Sequence, residues 1–161
     1  MAEVNTLEGK LAEVLGLAQA AQGATEKVEA LLEDDGMRST LARMREEAEE
    51  TERRCTELAD AREGKKTAIL DKARETKGEA EEMMDIYLGE DSDGLDGFEF
   101  LTMAEAGEVG HWAILRRLNE KAGEAEITEL CEWALPVQER HFDTVKECAL
   151  TLAAEEDPYE E

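Results

Sequence analysis

The feature that most constrains this chain is the spacing of its apolar residues, which recur every three or four positions through long segments. Such a spacing places the apolar side chains on one face of an α-helix. The 161-residue chain has two prolines and only 4% aromatic residues, so residues that favour strands are scarce. We therefore predict an all-α protein whose helices cover residues 4–32, 37–62, 68–88, 98–122 and 124–154.

The four long helices are joined by short links, which favours an antiparallel bundle in which the first and last helices pack together. The shorter helix at 68–88 supplies the crossover, and a polar loop is predicted after it at 89–97. Pro136 falls inside the last helix and is expected to kink or break it. The prediction is one domain over residues 1–154, followed by an acidic disordered tail at 155–161.

The charge balance argues against several classes of partner. Forty-two Asp and Glu residues against eighteen Lys and Arg residues give a net charge of −24, which repels nucleic acids and anionic membranes. The acidity fits a solvated surface or, alternatively, a surface that concentrates cations. No apolar run reaches the roughly 20 residues of a membrane span, and the first residues do not resemble a signal peptide. We therefore expect a cytoplasmic protein whose three cysteines stay reduced.

The segment 98–122 carries the one anomaly in this pattern. At about 100° per residue, Glu105 and Glu108 fall in the same apolar stripe as Trp112, and His111 lies at its edge. An unpaired buried carboxylate is strongly disfavoured. A metal ion, a basic partner or a raised pKa must therefore compensate the two glutamates.

The last predicted helix repeats this local pattern. Gln138 takes the place of Glu108, and His141 takes the place of His111; these are the only two histidines of the chain. Side chains at i and i+3 point to one place about a turn apart, so each pair can supply two metal ligands. We expect both histidines to face each other across the bundle interior. The alternative is that the glutamates pair with His or Arg and fix the register of the bundle.

The first two helices offer weaker ligands. Glu47 occupies an edge position in the second helix, although a solvated glutamate-rich face also explains it. The central stripe of the first helix holds Gln22 and Thr25, and Glu29 is a weaker candidate near the end of that helix.

Two stretches of the chain resemble a known family. The run MRSTLARMREEAEETERRCTELADAREGKKT at 37–67 resembles the second helix and following turn of the small bacterial stress-associated YciF-type proteins, including the Glu-Thr at 50–51 and the Lys-Thr at 66–67. The run AEAGEVGHWAILRRL at 104–118 resembles their third helix, in which an aromatic residue follows a histidine. These proteins belong to the ferritin-like superfamily. The resemblance implies an antiparallel ferritin-like four-helix bundle, often dimeric, with a dinuclear metal centre.

The chain departs from that pattern in its ligands. A full dinuclear centre takes one Glu from each of two helices and Glu-x-x-His from each of the other two. Gln138 replaces one expected Glu, and Gln22 or Ala18 stands in place of another, so ferroxidase-type oxidative chemistry is in doubt. Iron or manganese is the expected ion, with zinc as a further option. The expected ligands are Glu47, Glu105, Glu108, His111, Gln138 and His141.

Two classes of function follow. The first is a metal-binding ferritin-like protein, expected to be a homodimer, that stores, buffers or oxidises iron or manganese. The second is a metal-free helical bundle with a degenerate metal site that serves as a dimerisation or interaction module. Nucleophilic enzymes are disfavoured because no nucleophile elbow, phosphate loop or Ser-His-Asp arrangement is visible.

Overall fold

A computed structural model describes residues 2–161, and all regular secondary structure in that range is helical. This confirms the all-α prediction. None of the helices in this range combines the length and apolar character that spanning a membrane requires. The helices are α1 (Thr6–Glu29), α2 (Asp35–Asp60), α3 (Lys66–Tyr87), α4 (Gly94–Ala122) and α5 (Ala125–Ala153).

The start of α4 differs from the sequence prediction, because the helix takes in four residues of the expected loop at 89–97. The Asp93 side chain accepts a hydrogen bond from the Asp96 backbone N–H at 3.0 Å, and the Asp96 side chain accepts one from the Asp93 N–H. This reciprocal cap satisfies two backbone donors at the helix start. In α5, the helix continues through Pro136 without a break.

Four of the helices form a closed ring. Helix α1 packs against α2 and α4, and α5 packs against the same two helices. The expectation that the first and last helices pack together is therefore wrong, since α1 and α5 lie on a diagonal. The reason is the crossover: α3 runs along α1, so the chain enters α4 beside α1, and α5 then returns between α4 and α2.

Helix α3 forms an outer layer on α1, and Gly16 allows the two helices to come close. A Cβ atom at Gly16 would lie 2.3 Å from the backbone oxygen of Ala73 and 2.8 Å from Cβ of Thr76. Real Cβ contacts are never this short, so the two backbones can approach this closely only because residue 16 has no side chain.

The bundle interior contains two apolar clusters, one towards each end. One cluster centres on Leu15, Trp112 and Cys131, and the other on Val28 and Phe98. On each of the four ring helices, a short stretch separates the residues of the two clusters. The buried residues of these stretches are Gly16, Ala18 and Ala21 on α1, Ala48 and Thr51 on α2, Glu105 and Glu108 on α4, and Val137, Gln138 and His141 on α5.

Candidate functional site

The candidate site is a buried polar layer between the two apolar clusters, which we define as Glu105 and Glu108 of α4 with Gln138 and His141 of α5. Each of these four residues is at most 4% exposed. All four were expected from the sequence as candidate ligands, and the structure places them in the interior. Their burial carries a large desolvation cost, so their hydrogen-bond and charge partners determine what the layer can do.

The two carboxyl groups of the layer lack the partners that would keep them ionised. Oε2 of Glu105 and Oε1 of Gln138 are buried and have no hydrogen-bond partner among residues 2–161. Burial raises the pKa of Glu105 to about 8. Burial, and then the charge of Glu105, raise the pKa of Glu108 well above its usual value. At neutral pH these groups therefore hold protons unless a cation replaces them.

His141 connects the buried polar layer to α2. Its Nε2 lies 3.2 Å from Oε1 of Glu47, and its Nδ1 lies 3.8 Å from Oε2 of Glu105. Burial lowers the pKa of His141, which favours the neutral ring. A carboxylate only accepts hydrogen bonds, so Nε2 carries the proton. The lone pair of Nδ1 is then available on the side of Glu105.

Glu47 lies at the edge of the bundle and stays ionised. It accepts hydrogen bonds from Arg140 and His141. Burial raises the pKa of Glu47, but these hydrogen bonds outweigh it and bring the pKa below the usual value. A surface cavity of about 200 Å³ is lined by Glu47 and His141. The sequence reasoning missed Arg140, although its place beside His141 in α5 is a signal that could have indicated it.

His111 lies outside the buried polar layer. Its side chain is 39% exposed, and its Nδ1 lies 3.3 Å from both Nζ of Lys10 and Oε2 of Glu13, two residues of α1. The prediction that His111 and His141 face each other across the interior is therefore wrong. The sequence reasoning also missed these two partners, because it read the first helix only for residues in its apolar stripe.

The difference between the two histidines follows from what covers the same edge of α4 and α5. On α5 this edge carries Val137, which is buried, whereas the matching position on α4 is Gly107, which is exposed. Gly107 and His111 line a surface groove between α3 and α4, which we call the α3–α4 groove. The sequence repeat is thus real and both copies contribute buried residues, but only the histidine of the α5 copy lies in the interior.

The weaker candidate ligands on α1 form hydrogen bonds with residues outside the buried polar layer. The Gln22 side chain donates a hydrogen bond to Glu52 at 3.0 Å, and Glu29 accepts one from Arg45 at 2.6 Å. The Thr25 hydroxyl donates to the carbonyl of Ala21 within its own helix. None of these residues is directed to the buried polar layer.

The positions of these residues fit a site for one metal ion better than a dinuclear centre. A dinuclear carboxylate centre does not fit, because α1 brings Ala18 and α2 brings Thr51 to the level where ligands are needed. Among residues 2–161, no three His, Cys, Asp or Glu side chains are grouped closely enough to hold a metal ion. The donors that one ion would need do lie in one layer: two carboxyl groups, an amide oxygen and an imidazole.

Comparison with known proteins gives no family for this chain. No protein-family model matches the sequence, and a search of curated proteins also finds no match.

Proposed function

We propose that this protein is a ferritin-like bundle that binds one divalent cation in its buried polar layer, with iron or manganese favoured and zinc as a further option. The observation that carries the proposal is the pair of buried oxygens without partners, Oε2 of Glu105 and Oε1 of Gln138. A cation between α4 and α5 would satisfy both oxygens and would offset the cost of burying Glu105 and Glu108. Oxygen and imidazole ligands suit all three metals.

The orientation of His141 supports this proposal. Metal-ligating histidines almost always donate their second ring N–H to a carboxylate, a carbonyl or a water molecule, which fixes the ring and makes the ligating nitrogen more basic. Glu47 occupies that supporting position on Nε2, and Nδ1 lies on the side of Glu105. Glu47 therefore acts as the residue that orients His141, and the expected ligands are Glu105, Glu108, Gln138 and His141.

Binding requires the ligands to move closer together than they are in this structure. Glu105 and Glu108 must lose their protons, because a protonated carboxyl group is a poor metal ligand. The affinity for metal should therefore rise with pH as the two carboxyl groups ionise. With one ion and no partner ion for a two-metal reaction, buffering or storage of the metal suits the layer better than its oxidation.

The arrangement of the helices supports the ferritin-like part of the proposal. A four-helix ring in which α2 and α4 are joined by a long crossover is one of the known bundle topologies, and α3 supplies the crossover here. The two stretches at 37–67 and 104–118 resemble the YciF-type proteins in the same helices. We extend to this chain, as part of the proposal, the homodimer that the resemblance implies.

A metal-free function is the second candidate, and a specific observation favours it. No three His, Cys, Asp or Glu side chains within residues 2–161 are grouped to hold a metal. Under this alternative, protons neutralise Glu105 and Glu108, and the bundle serves as a dimerisation or interaction module with a degenerate site.

The experiment compares His141→Ala with His111→Ala, which removes a histidine outside the layer. Each protein is freed of metal with a chelator, and its melting temperature is measured by calorimetry at moderate salt with iron(II) under anaerobic conditions, manganese or zinc. A ligand at about 100 times its Kd stabilises the native state by about 2.7 kcal/mol, which is roughly 5–10 °C for a domain of this size. We expect that shift in the parent and in His111→Ala, and its loss in His141→Ala.

An equal response of the two proteins would contradict the proposal. If the parent and His141→Ala respond equally to each metal, the ions bind only to the acidic surface, and moderate salt should weaken that response. That result would end the proposal of a buried metal and leave the metal-free alternative.

A further inference from the structure

Three side chains with metal-binding atoms follow one another along α4 from the surface into the interior. His111, Glu108 and Glu105 are spaced three residues apart, which places them on successive turns of the helix. The side chain of His111 is 39% exposed, whereas Glu108 and Glu105 are buried. An imidazole and two carboxyl groups therefore connect the outside of the bundle with the buried polar layer.

The α3–α4 groove runs along this series of side chains. It has a volume of about 580 Å³, and His111, Glu108 and Glu105 all line it. Ala20 and Ala21 of α1 also line the groove, and their small side chains leave space beside the two glutamates. Two of the four residues of the buried polar layer are thus reached from this side of the bundle.

The cavity beside Glu47 gives a poorer approach to the layer. Its volume is about 200 Å³, and it reaches the layer at His141. On that side the ring of His141 presents its N–H to Glu47, whereas the lone pair of Nδ1 lies on the side of Glu105. An ion in this cavity would therefore meet the ring nitrogen that cannot bind it.

The charged residues at the two openings also differ. Arg43 and Arg140 line the cavity beside Glu47, so two positive charges face one negative charge there. At the α3–α4 groove the two lysines are each paired with a glutamate, which balances their charge. A divalent cation is therefore repelled more strongly at the cavity beside Glu47 than at the groove.

We propose that a divalent cation enters and leaves the buried polar layer through the α3–α4 groove, and that it passes from His111 to Glu108 and then to Glu105. Each donor replaces water molecules of the hydrated ion in turn, which lowers the cost of moving its charge into the interior. His111 thus contacts the ion on the route and is not a ligand of the final site. This route rests on the proposed function, because it requires a cation in the layer.

A residue of the route affects how fast the ion is exchanged and leaves the affinity unchanged. A contact that is made only on the way lowers the barrier for entry and for exit by the same amount. Its loss therefore slows uptake and release by the same factor, and Kd, which is the ratio of the two rate constants, stays the same. A final ligand such as His141 differs, because its loss raises Kd.

The experiment measures metal exchange by stopped-flow fluorescence with the full-length protein at moderate salt. A metal-sensitive indicator follows the uptake of iron(II) under anaerobic conditions, manganese or zinc, and an excess of chelator added to the loaded protein gives the release rate. Gly107→Trp fills the groove beside Glu108, and an added Cβ at Gly107 meets no atom within 4 Å. We expect Gly107→Trp to slow both rates about tenfold or more and His111→Ala to slow both about threefold or more, with Kd unchanged in each.

Three further variants are controls. Gly110→Trp adds the same indole to an exposed glycine of α4 that lies outside the groove and also has no atom within 4 Å of an added Cβ. Ile114→Ala shortens an exposed side chain of α4 one turn beyond His111, and Thr144→Trp fills the cavity beside Glu47. We expect all three to exchange metal at the parent rates. Circular dichroism shows whether each variant keeps its helices.

Several outcomes would overturn the route. One is metal exchange in Gly107→Trp and His111→Ala at the parent rates. Another is equal slowing by Gly107→Trp and Gly110→Trp, which indicates an effect of the indole that is unrelated to the groove. A third is slower exchange in Thr144→Trp alone, which indicates entry beside Glu47. A parent protein that takes up none of the three metals would instead refute the buried metal site, so failure of the proposed function is distinguished from failure of the route.

Discussion

Nδ1 of His141 lies 3.8 Å from Oε2 of Glu105, an oxygen that has no hydrogen-bond partner among residues 2–161. The other ring nitrogen of His141 lies 3.2 Å from Oε1 of Glu47. One imidazole thus joins an ionised carboxylate near the surface to a carboxyl group in the interior. The two glutamates differ in environment, and their pKa values shift in opposite directions for that reason.

The stability of the metal-free protein should depend on the ionisation of Glu105. Its pKa is about 8 in the folded protein, whereas the usual value of 4.5 applies in the unfolded chain. As the pH rises from about 4.5 to 8, the unfolded chain loses this proton and the folded protein keeps it, so the free energy of unfolding falls. Glu105→Gln cannot ionise. We therefore expect it to match the parent near pH 5 and to be more stable by a few kcal/mol at pH 8.

Urea denaturation with a chelator at several pH values measures this difference. The control is Glu99→Gln, an exposed glutamate of the same helix, which accounts for the change in net charge. Parallel pH profiles for Glu105→Gln and the parent would show that Glu105 is ionised in the folded state.

Loss of the Glu47 carboxylate should change the titration of His141. The hydrogen bond and the charge of Glu47 raise the pKa of His141 and partly oppose the effect of burial. In Glu47→Gln the negative charge is lost and only a weaker, neutral acceptor remains for the hydrogen bond, so the pKa of His141 should fall further. Titration of the imidazole signals by NMR measures the change, and Glu46→Gln, an exposed neighbour, should leave the curve as it is. An unchanged curve in Glu47→Gln would contradict the contact between these residues.

Two glycines of α1 should respond to alanine in opposite ways. At Gly16 a Cβ would lie 2.3 Å from the Ala73 carbonyl oxygen, so Gly16→Ala must push α3 away and should cost about 1–3 kcal/mol or more. At Gly23 no atom lies within 4 Å of an added Cβ. Gly23→Ala should therefore raise the free energy of unfolding by about 0.5–1 kcal/mol, through higher helix propensity. Chemical denaturation measures the free energy of unfolding of both variants. An equal change in the two would contradict the close packing of α1 on α3.

Arg62 should matter more than an exposed arginine. It lies 2.9 Å from Glu8, whose side chain is 3% exposed, and 2.7 Å from Glu124 at the start of α5. Arg62→Ala leaves the buried Glu8 with Lys65, at 3.4 Å, as its remaining basic partner, and should cost about 2–4 kcal/mol. In the parent, burial raises the pKa of Glu8, but the Asn5 backbone hydrogen bond and Arg62 bring it below 4.5.

The pH dependence and a control make this prediction specific. Because the folded pKa of Glu8 is lowered, its contribution is present above pH 4.5 and is lost as the pH falls, so the difference between Arg62→Ala and the parent should narrow in acid. Arg53→Ala removes an arginine from exposed pairs with Glu50 and Glu57, and it should change the stability little or not at all. Equal losses in the two variants would contradict the role of Arg62.

Much of the candidate site was predictable, because it depends on local geometry. Glu105 and Glu108 share a helical face with Trp112, and that face is buried. Burial of both glutamates therefore followed from the period of 3.6 residues alone. The start of α4 was missed because Gly94 and Gly97 read as loop residues, although Asp93 and Asp96 form a reciprocal cap that the sequence also contains.

The sequence by itself determined that this protein is helical, where its apolar faces lie, and that two glutamates lie on one of those faces, since these properties depend on residues within a few turns of each other. Only the tertiary structure decided that His141 is buried against Glu47 while His111 faces the α3–α4 groove. It also decided that α1 and α5 lie on a diagonal. The two histidines occupy the same place in matching local patterns, so only the neighbours that each helix packs against can distinguish them.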